Sequence, residues 1–292
     1  MQKTAIRAQI VLHSASPYHS KPLVTMALTY PRFVHAECKT HRVISWDDLT
    51  TLQQDVSLMD EKAFSRNAMS SRAVPIQKMI DQVFNDPAMP VQWGRNQPGM
   101  QAGAEIEDVG RAQELWLRGA SQAASLAEKM MDLGLHKQIV NRVLEPYQWM
   151  HTIVSFTESD NFFNLRLAVK PDGTPMADPT MYALASVMHE AIAQSSPQRR
   201  DVHMPYVSEM EMLECGTLER AMLVSAARCA RISYLNHDGT RPELLKDLQL
   251  AETLRSSGHA SPFEHVAVAH DDHEHASRNF RGWTQMRDMI GL

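Results

Sequence analysis

The sequence predicts an α+β fold, rich in helices with a few strands, on three observations. Two runs of β-branched and aliphatic residues, 7–14 (RAQIVLHS) and 22–30 (PLVTMALTY), flank a turn-like SPYHSKP, which is the pattern of a β-hairpin. Through the middle of the chain, apolar residues recur mostly at helical spacing. Near the end, FEHVAVAH alternates as a strand does. A hairpin, a long helical region and a late strand make an α+β arrangement, not an alternating βαβ one.

The elements follow in order. Phe33, Val34, Ala36 and Cys38 fit a short helix with a basic run at its end. Leu49, Leu52, Val56 and Met59 behind an Asp cap predict an amphipathic helix or lid over 47–63. Another helix is expected at 73–84. The Pro- and Gly-rich stretch 86–104 reads as a flexible loop and the best linker candidate. A long helix follows over 105–133, ended by Gly134. From 136 to 169 the chain reads as helix, broken or kinked at Pro146, before KPDGTPMADP turns it. Helices are expected at 180–194, 208–232 and 243–257, the last ending at Gly258, and FRGWTQMRDMI closes the chain as a short helix. No repeat of fixed period is present.

Length and composition bound the function. A chain of 292 residues buries one large core or two smaller ones, and 43% hydrophobic with 22% charged residues is an ordinary globular mixture. A formal charge of −5 speaks against binding duplex nucleic acid, while a local basic pocket for one nucleotide stays open. No run of about 18 apolar residues occurs and the first residues lack a secretory pattern, so a cytoplasmic protein with no membrane partner is expected. Cys38, Cys215 and Cys229 stand far apart, which indicates neither a disulfide framework nor a zinc knuckle; reduced, half-buried thiols are expected. The glycine-rich phosphate loops, the G-x-S-x-G elbow and the H-E-x-x-H helix are all missing. Any phosphate must therefore be held by side chains.

Four strings carry chemistry. FSRNAMSSRAVP (64–75) offers Arg66 and Arg72 as planar forks and Ser70 and Ser71 as hydroxyl partners for a phosphate; a polar turn capping the next helix has the same composition. In ESDNFFNLR (158–166), Asn161 and Asn164 both donate and accept, which suits the edge of a pyrimidine or flavin ring, and Arg166 can donate to a carbonyl oxygen. The same segment also reads as an element whose Phe162 and Phe163 are core. GHASPFEHVA (258–267) sets His259 and His265 six apart, with Pro and Phe between them, a poor geometry for metal. HDDHEH (270–275) is either a divalent-metal cluster or a solvated turn, and SRNFRGW (277–283) echoes the Arg-Asn-aromatic chemistry of the first string.

Together these strings resemble the flavin-dependent thymidylate synthases, particularly the phage-type members. That family carries a Thr/Ser-Pro-Phe-Glu-His element, an R-H-R…S-x-N-E-x-S-x-R signature and a late N-F-L-x-L-R element. Here SPFEH stands at 261–265, HR at 41–42, FSRNAMSSR at 64–72 and NFFNLR at 161–166, while RCARISY (228–234) followed by GHASPFEH matches the family's usual beginning. The family begins with the segments that end this chain, so the order is circularly permuted. The resemblance covers about two thirds of the residues, leaving out 44–63, 86–104 and the termini.

The resemblance implies a central, mostly antiparallel sheet within one catalytic domain over 1–292, carrying an inserted helix or lid at about 44–63. It implies FAD as cofactor, NADPH and methylene-tetrahydrofolate as co-substrates, a small nucleotide substrate and a homotetramer with shared sites. Carried over position by position, His41, Arg42, Asn67, Asn161, Ser261 and Glu264 would contact FAD. Ser70, Arg72 and Arg142 would hold the nucleotide phosphate. Arg166 would bind and polarise the pyrimidine carbonyl, and His259 would sit beside the cofactor. The implied reaction is reductive methylation of dUMP to dTMP. Hydroxymethylation of dUMP or dCMP, and a non-catalytic flavin- or nucleotide-binding scaffold, stay open. The chain departs from the signature at Thr40 (for Arg) and Ala68 (for Glu), and the family's His after the L-R element is not recognisable in LAVKPDGTPMADP.

Overall fold

Strands β1 (Arg7–Ala15) and β2 (Pro22–Pro31) form the expected hairpin, with Arg7 opposite Thr29 and Ala15 opposite Pro22. The computed structural model describes residues 3–43, 62–232, 240 and 242–292. The amphipathic helix expected at 47–63, and with it the inserted lid, lies outside the described residues except at 62–63. An antiparallel bridge between Arg42 and Lys62, with Ala63 N–H donating to the His41 carbonyl at 3.0 Å, sets the two ends of that segment side by side.

After β2 a 3-10 turn (Arg32–Val34) leads into α1 (His35–Cys38). Strand β3 (Ser65–Ala68), α2 (Ile76–Asn85), α3 (Val109–Asp132) and α4 (Lys137–Val140) follow. Asp108 caps α3 by accepting the Arg111 N–H, which fixes its start four residues later than the spacing alone suggests. The stretch between α2 and α3 is tied across itself: Arg95 N–H donates to Ala104 O at 2.8 Å and Ile106 N–H to Trp93 O at 2.9 Å.

The expected helix over 136–169 is corrected. It divides into α4, a 3-10 stretch (Asn141–Tyr147) that contains Pro146, strand β4 (Trp149–Phe156) and α5 (Asp160–Arg166). WMHTIVSF is buried along nearly its whole length on both faces, and β4 lies inside the sheet between β3 and β2. A strand covered on both sides loses its alternation and cannot be told from a helix by period alone.

Beyond α5 come α6 (Pro179–Ala193), β5 (Gln198–Arg199), β6 (Val202–His203), α7 (Glu209–Cys215) and α8 (Leu218–Arg231). The single helix expected at 208–232 is thus two. Gly216 at φ 75 ends α7 in the left-handed region, and Thr217 caps α8. Helix α9 (Leu244–Ser256) precedes a 3-10 turn (Ser261–His265), β7 (Ala267–Ala269), β8 (Ala276–Ser277), β9 (Phe280–Arg281), β10 (Trp283–Gln285) and α10 (Met286–Met289). SPFEH is therefore a turn and not the start of a strand, and the first half of the expected closing helix is strand, with only Met286–Met289 helical.

The five-stranded sheet runs β3-β4-β2-β1-β5, antiparallel except for the short β1/β5 pair. Along β2 the side chains alternate between faces. Val24, Met26, Leu28 and Tyr30 pack with Met181, Leu184 and Met188 of α6 and Phe162 of α5. On the opposite face Leu23 meets Trp283 and Thr25 meets His203. A second core joins α8 to Phe263, Val266 and Met286, and a third joins α2 to α3. All three cysteines are free and buried, more deeply than the sequence suggested.

Candidate functional site

The motif segments meet at the β3 edge of the sheet and behind it. Phe64, at the start of FSRN, packs edge-to-face on Phe162 of NFFNLR with ring centroids 4.9 Å apart, and His41 packs on the same Phe162 at 4.8 Å. Asn161 Nδ2–H donates to the Arg42 carbonyl at 3.1 Å. Asn67 Nδ2–H reaches the Cys229 carbonyl of α8 at 3.4 Å. Residues from 41–42, 64–67, 161–166 and the RCAR stretch are thus one assembly within a single chain.

Arg166, the last residue of α5, is the hub of one half. Its Nε–H donates to Nε2 of His41 at 2.8 Å, and its Nη1 pairs with Glu37 at 3.2 Å. Burial and the adjacent guanidinium push the His41 imidazole down to about 4, so it is neutral near pH 7. Since its Nε2 accepts, its proton sits on Nδ1. Burial raises the Glu37 carboxyl above its ordinary range, Arg166 opposes that, and Asp178 adds to it. Arg166 and Glu37 open onto a cavity of about 790 Å³, which Gln92, Gln101, Lys170 and Asp178 also line.

The other half lies where β3 meets the SPFEH turn. A cavity of about 290 Å³ is lined by Ser65, Arg66, Ser261 and Glu264 together with Lys62, Arg278 and Arg287. Glu264 accepts from Arg287 Nη1 at 2.6 Å. Burial raises its carboxyl, and Arg287, Ser65 and Arg66 pull the other way. Ser261 and Glu264 thus share one cavity with Ser65 and Arg66 of the FSRN string, while Asn67 does not line it. Arg166 and Glu264, however, line different cavities.

The remaining expected residues form a third group. Ser70 and Arg72 are exposed on the loop after β3, with the Ser70 Oγ accepting from the Arg72 N–H at 3.3 Å. Arg142 lies on the 3-10 stretch that packs against this loop, where Asn141 Nδ2–H bonds the Ser71 carbonyl at 2.7 Å, and it faces Glu145 at 3.7 Å. Ser70, Arg72 and Arg142 line neither cavity. Nor does His259, which shares a hydrogen bond with Ser257 at 2.8 Å on the surface at the end of α9. In HDDHEH, His270 and His275 stack face to face at 3.8 Å, and among the described residues no three metal-ligating side chains cluster. No described helix is long and apolar enough to cross a membrane.

Sequence reasoning missed Glu37, Lys62, Arg278 and Arg287. Glu37 had one available signal, its place four residues before His41. Arg278 stands in the SRNFRGW echo and Arg287 four residues beyond it, where composition alone implies no role.

No family model matches the chain, and no curated protein matches it. Among solved structures it superimposes on the UMP/dUMP methylase PolB from Streptomyces cacaoi. The form bound with 5-Br UMP is 17% identical with a TM-score of 0.43, covering 66% of this chain and 90% of that one. The form bound with 5-Br dUMP is 14% identical with a TM-score of 0.45, covering 66% and 91%.

Proposed function

We propose that this chain is a FAD-dependent enzyme that modifies C5 of a deoxypyrimidine monophosphate, by reductive methylation of dUMP to dTMP. The observation that carries this reading is the Arg166–His41 hydrogen bond at 2.8 Å, which joins two signature segments 125 positions apart at the wall of a cavity large enough for a nucleotide. The donor set fits a flavin nucleotide: carboxamides of Asn67 and Asn161 near the joined segments, and the Ser261 hydroxyl, Glu264 carboxylate and surrounding cations at the smaller cavity. The chemistry that cofactor supplies when bound is hydride delivery, with methylene-tetrahydrofolate as one-carbon donor and NADPH as reductant.

The chain's own residues have definite tasks in this reading. Neutral His41 accepts from Arg166 and orients its guanidinium without competing for charge, leaving the Nη groups turned to the cavity and to Glu37. A fixed cation beside a pyrimidine carbonyl draws electron density toward that oxygen and stabilises charge that develops there. The three cysteines are buried, and burial pushes the Cys38 thiol up to about 11, so none is poised as a nucleophile. Ser70, Arg72 and Arg142, exposed and apart from both cavities, suit a phosphate contributed across a subunit boundary, as in a homotetramer with shared sites.

The second reading, hydroxymethylation of dUMP or dCMP, is favoured by the two departures from the signature. Thr40 spends its hydroxyl on the Glu37 carbonyl at 3.0 Å and Ala68 offers no side-chain acceptor, so two polar groups of the family site have no counterpart here. Purified protein showing a flavin absorption band, and converting dUMP to a methylated product by mass spectrometry with methylene-tetrahydrofolate and NADPH, supports the first reading. A hydroxymethyl product supports the second. Colourless protein that leaves both nucleotides unchanged overturns both.

A further inference from the structure

The smaller cavity is built mostly from residues that no motif assigns. Lys62, Arg66, Arg278 and Arg287 line it against one carboxylate, Glu264. Two of these cations are paired: Arg287 Nη1 with Glu264 at 2.6 Å and Arg278 Nε with Asp288 at 3.0 Å. Lys62 and Arg66 have no ion-pair partner among the described residues, so the cavity carries an excess of about two positive charges in a partly buried setting. Such an excess is costly without an anion to answer it.

The floor is fixed before anything binds. Ser65 Oγ–H donates to Asn279 Oδ1 at 3.1 Å, Gln285 Nε2–H donates to the same oxygen at 2.9 Å, and Asn279 Nδ2–H donates to the Ala63 carbonyl at 3.2 Å. The three side chains are buried at the junction of β3 with β10. This network ties the strand that carries Arg66 to the C-terminal segment that carries Arg278 and Arg287. At about 290 Å³ the cavity lies at the lower limit of ligand pockets, too small for a whole dinucleotide and suited to its charged middle.

We propose that this cavity is a diphosphate subsite, in which Lys62, Arg66, Arg278 and Arg287 hold the pyrophosphate bridge of a dinucleotide, with the C-terminal SRNFRGWTQMRD segment supplying half of the cations. The proposal rests on the reading of the chain as a flavin enzyme for the identity of the dinucleotide, and not for the site itself. Guanidinium forks match phosphoryl oxygens in pairs, and Glu264 at the same wall gives up part of its hold on Arg287 when an anion enters.

Titration calorimetry of the full chain with inorganic pyrophosphate, FAD and dUMP tests it. Lys62→Gln and Arg66→Gln, whose side chains hold no described ion pair, are expected to weaken both pyrophosphate and FAD at least tenfold and to leave dUMP affinity unchanged. Arg278→Gln is expected to act in the same direction, with circular dichroism confirming its fold. Pyrophosphate and FAD binding that resists Lys62→Gln and Arg66→Gln overturns the proposal while leaving the flavin reading intact. Loss of dUMP binding in place of FAD binding assigns the cations to the substrate monophosphate, and also overturns it. Wild-type protein that binds pyrophosphate through these residues yet takes up no FAD keeps the subsite and defeats the flavin reading.

Discussion

Ser155 and His265 share a hydrogen bond of 2.8 Å between Oγ and Nδ1, the last link of a buried chain that crosses the molecule. From Ser14 it passes to His203 at 2.7 Å, to Thr25 at 2.7 Å and to Ser155 at 2.6 Å. Two neutral imidazoles and three hydroxyls bring one proton each to these four bonds, so one donor proton is left over. This network fastens the SPFEH turn to β4 and β2. Thr25→Val removes the central link, leaving His203 Nε2 without a partner and Ser155 with only His265, at about 1–3 kcal/mol for each buried polar atom left unpaired. A urea midpoint equal to that of the wild type would show that the chain carries no stability.

Acid is expected to unfold the protein early. Burial lowers His265 to about 3, and it lowers His35 and His41, with help from neighbouring cations, to about 4 each; His203 is pushed well below its ordinary value. In every case the unfolded chain binds the proton more readily than the folded one. The stability these neutral imidazoles provide is therefore complete above about pH 6.5 and is lost as pH falls through 6.5 toward 4. Each such histidine steepens the loss by about 1.4 kcal/mol per pH unit within that window. Melting temperatures recorded from pH 8 to pH 4 should hold steady to about 6.5 and then drop; a flat profile down to pH 4.5 would contradict the burial of these rings.

The charged centre of the second core makes a separate test. Arg228 is fully buried, with Nε on Asp247 at 2.9 Å, Nη1 on Glu211 at 2.8 Å and Nη1 also on the Tyr206 carbonyl at 2.6 Å, while Arg231 pairs with the other oxygen of Asp247. Arg228→Met leaves two buried carboxylates facing one remaining arginine. Breaking a buried pair in this way costs about 3–5 kcal/mol. Denaturant titration should find a loss of that size, and the triple variant with Glu211→Gln and Asp247→Asn should recover part of it. No recovery would mean that the cost lies in packing and not in charge.

How far the sequence reveals this molecule depends on where its signals are local. The β1–β2 hairpin was legible because its two apolar runs flank a turn within one short stretch. Strand β4 was not, because Trp149–Phe156 is covered on both faces and so lost the alternation that marks a strand. The break at Gly216 was hidden by helical spacing on both sides of it. For the site, the neighbourhood of His41, Asn67, Asn161 and Arg166 was readable from motifs, while of the small cavity's cations only Arg66 was. Lys62 and Arg287 act through tertiary placement, with nothing in their immediate sequence to set them apart from ordinary surface charge, and Arg278 stands in the SRNFRGW echo, whose composition alone does not say what it meets. The division of Arg166 and Glu264 between two cavities was likewise beyond reach of spacing.

Arg166 concentrates the functional reading in one side chain, and its conservative replacement is the sharpest test of it. Its guanidinium serves His41 through Nε and Glu37 through Nη1 while lining the large cavity. A lysine keeps the positive charge but has a single donor centre, so it cannot hold His41 and present a second group to a carbonyl at once. If the cation stabilises charge on the pyrimidine oxygen, Arg166→Lys should lower kcat for the C5 modification by about 100-fold or more, as loss of a preorganised donor does elsewhere. KM for the nucleotide should change much less, since the phosphate is held by other residues in this scheme. Circular dichroism and the flavin absorption band of the variant would establish that the fold and the cofactor site persist. A variant that raises KM while keeping kcat would reassign Arg166 to binding alone, and one with both parameters unchanged would remove it from the site.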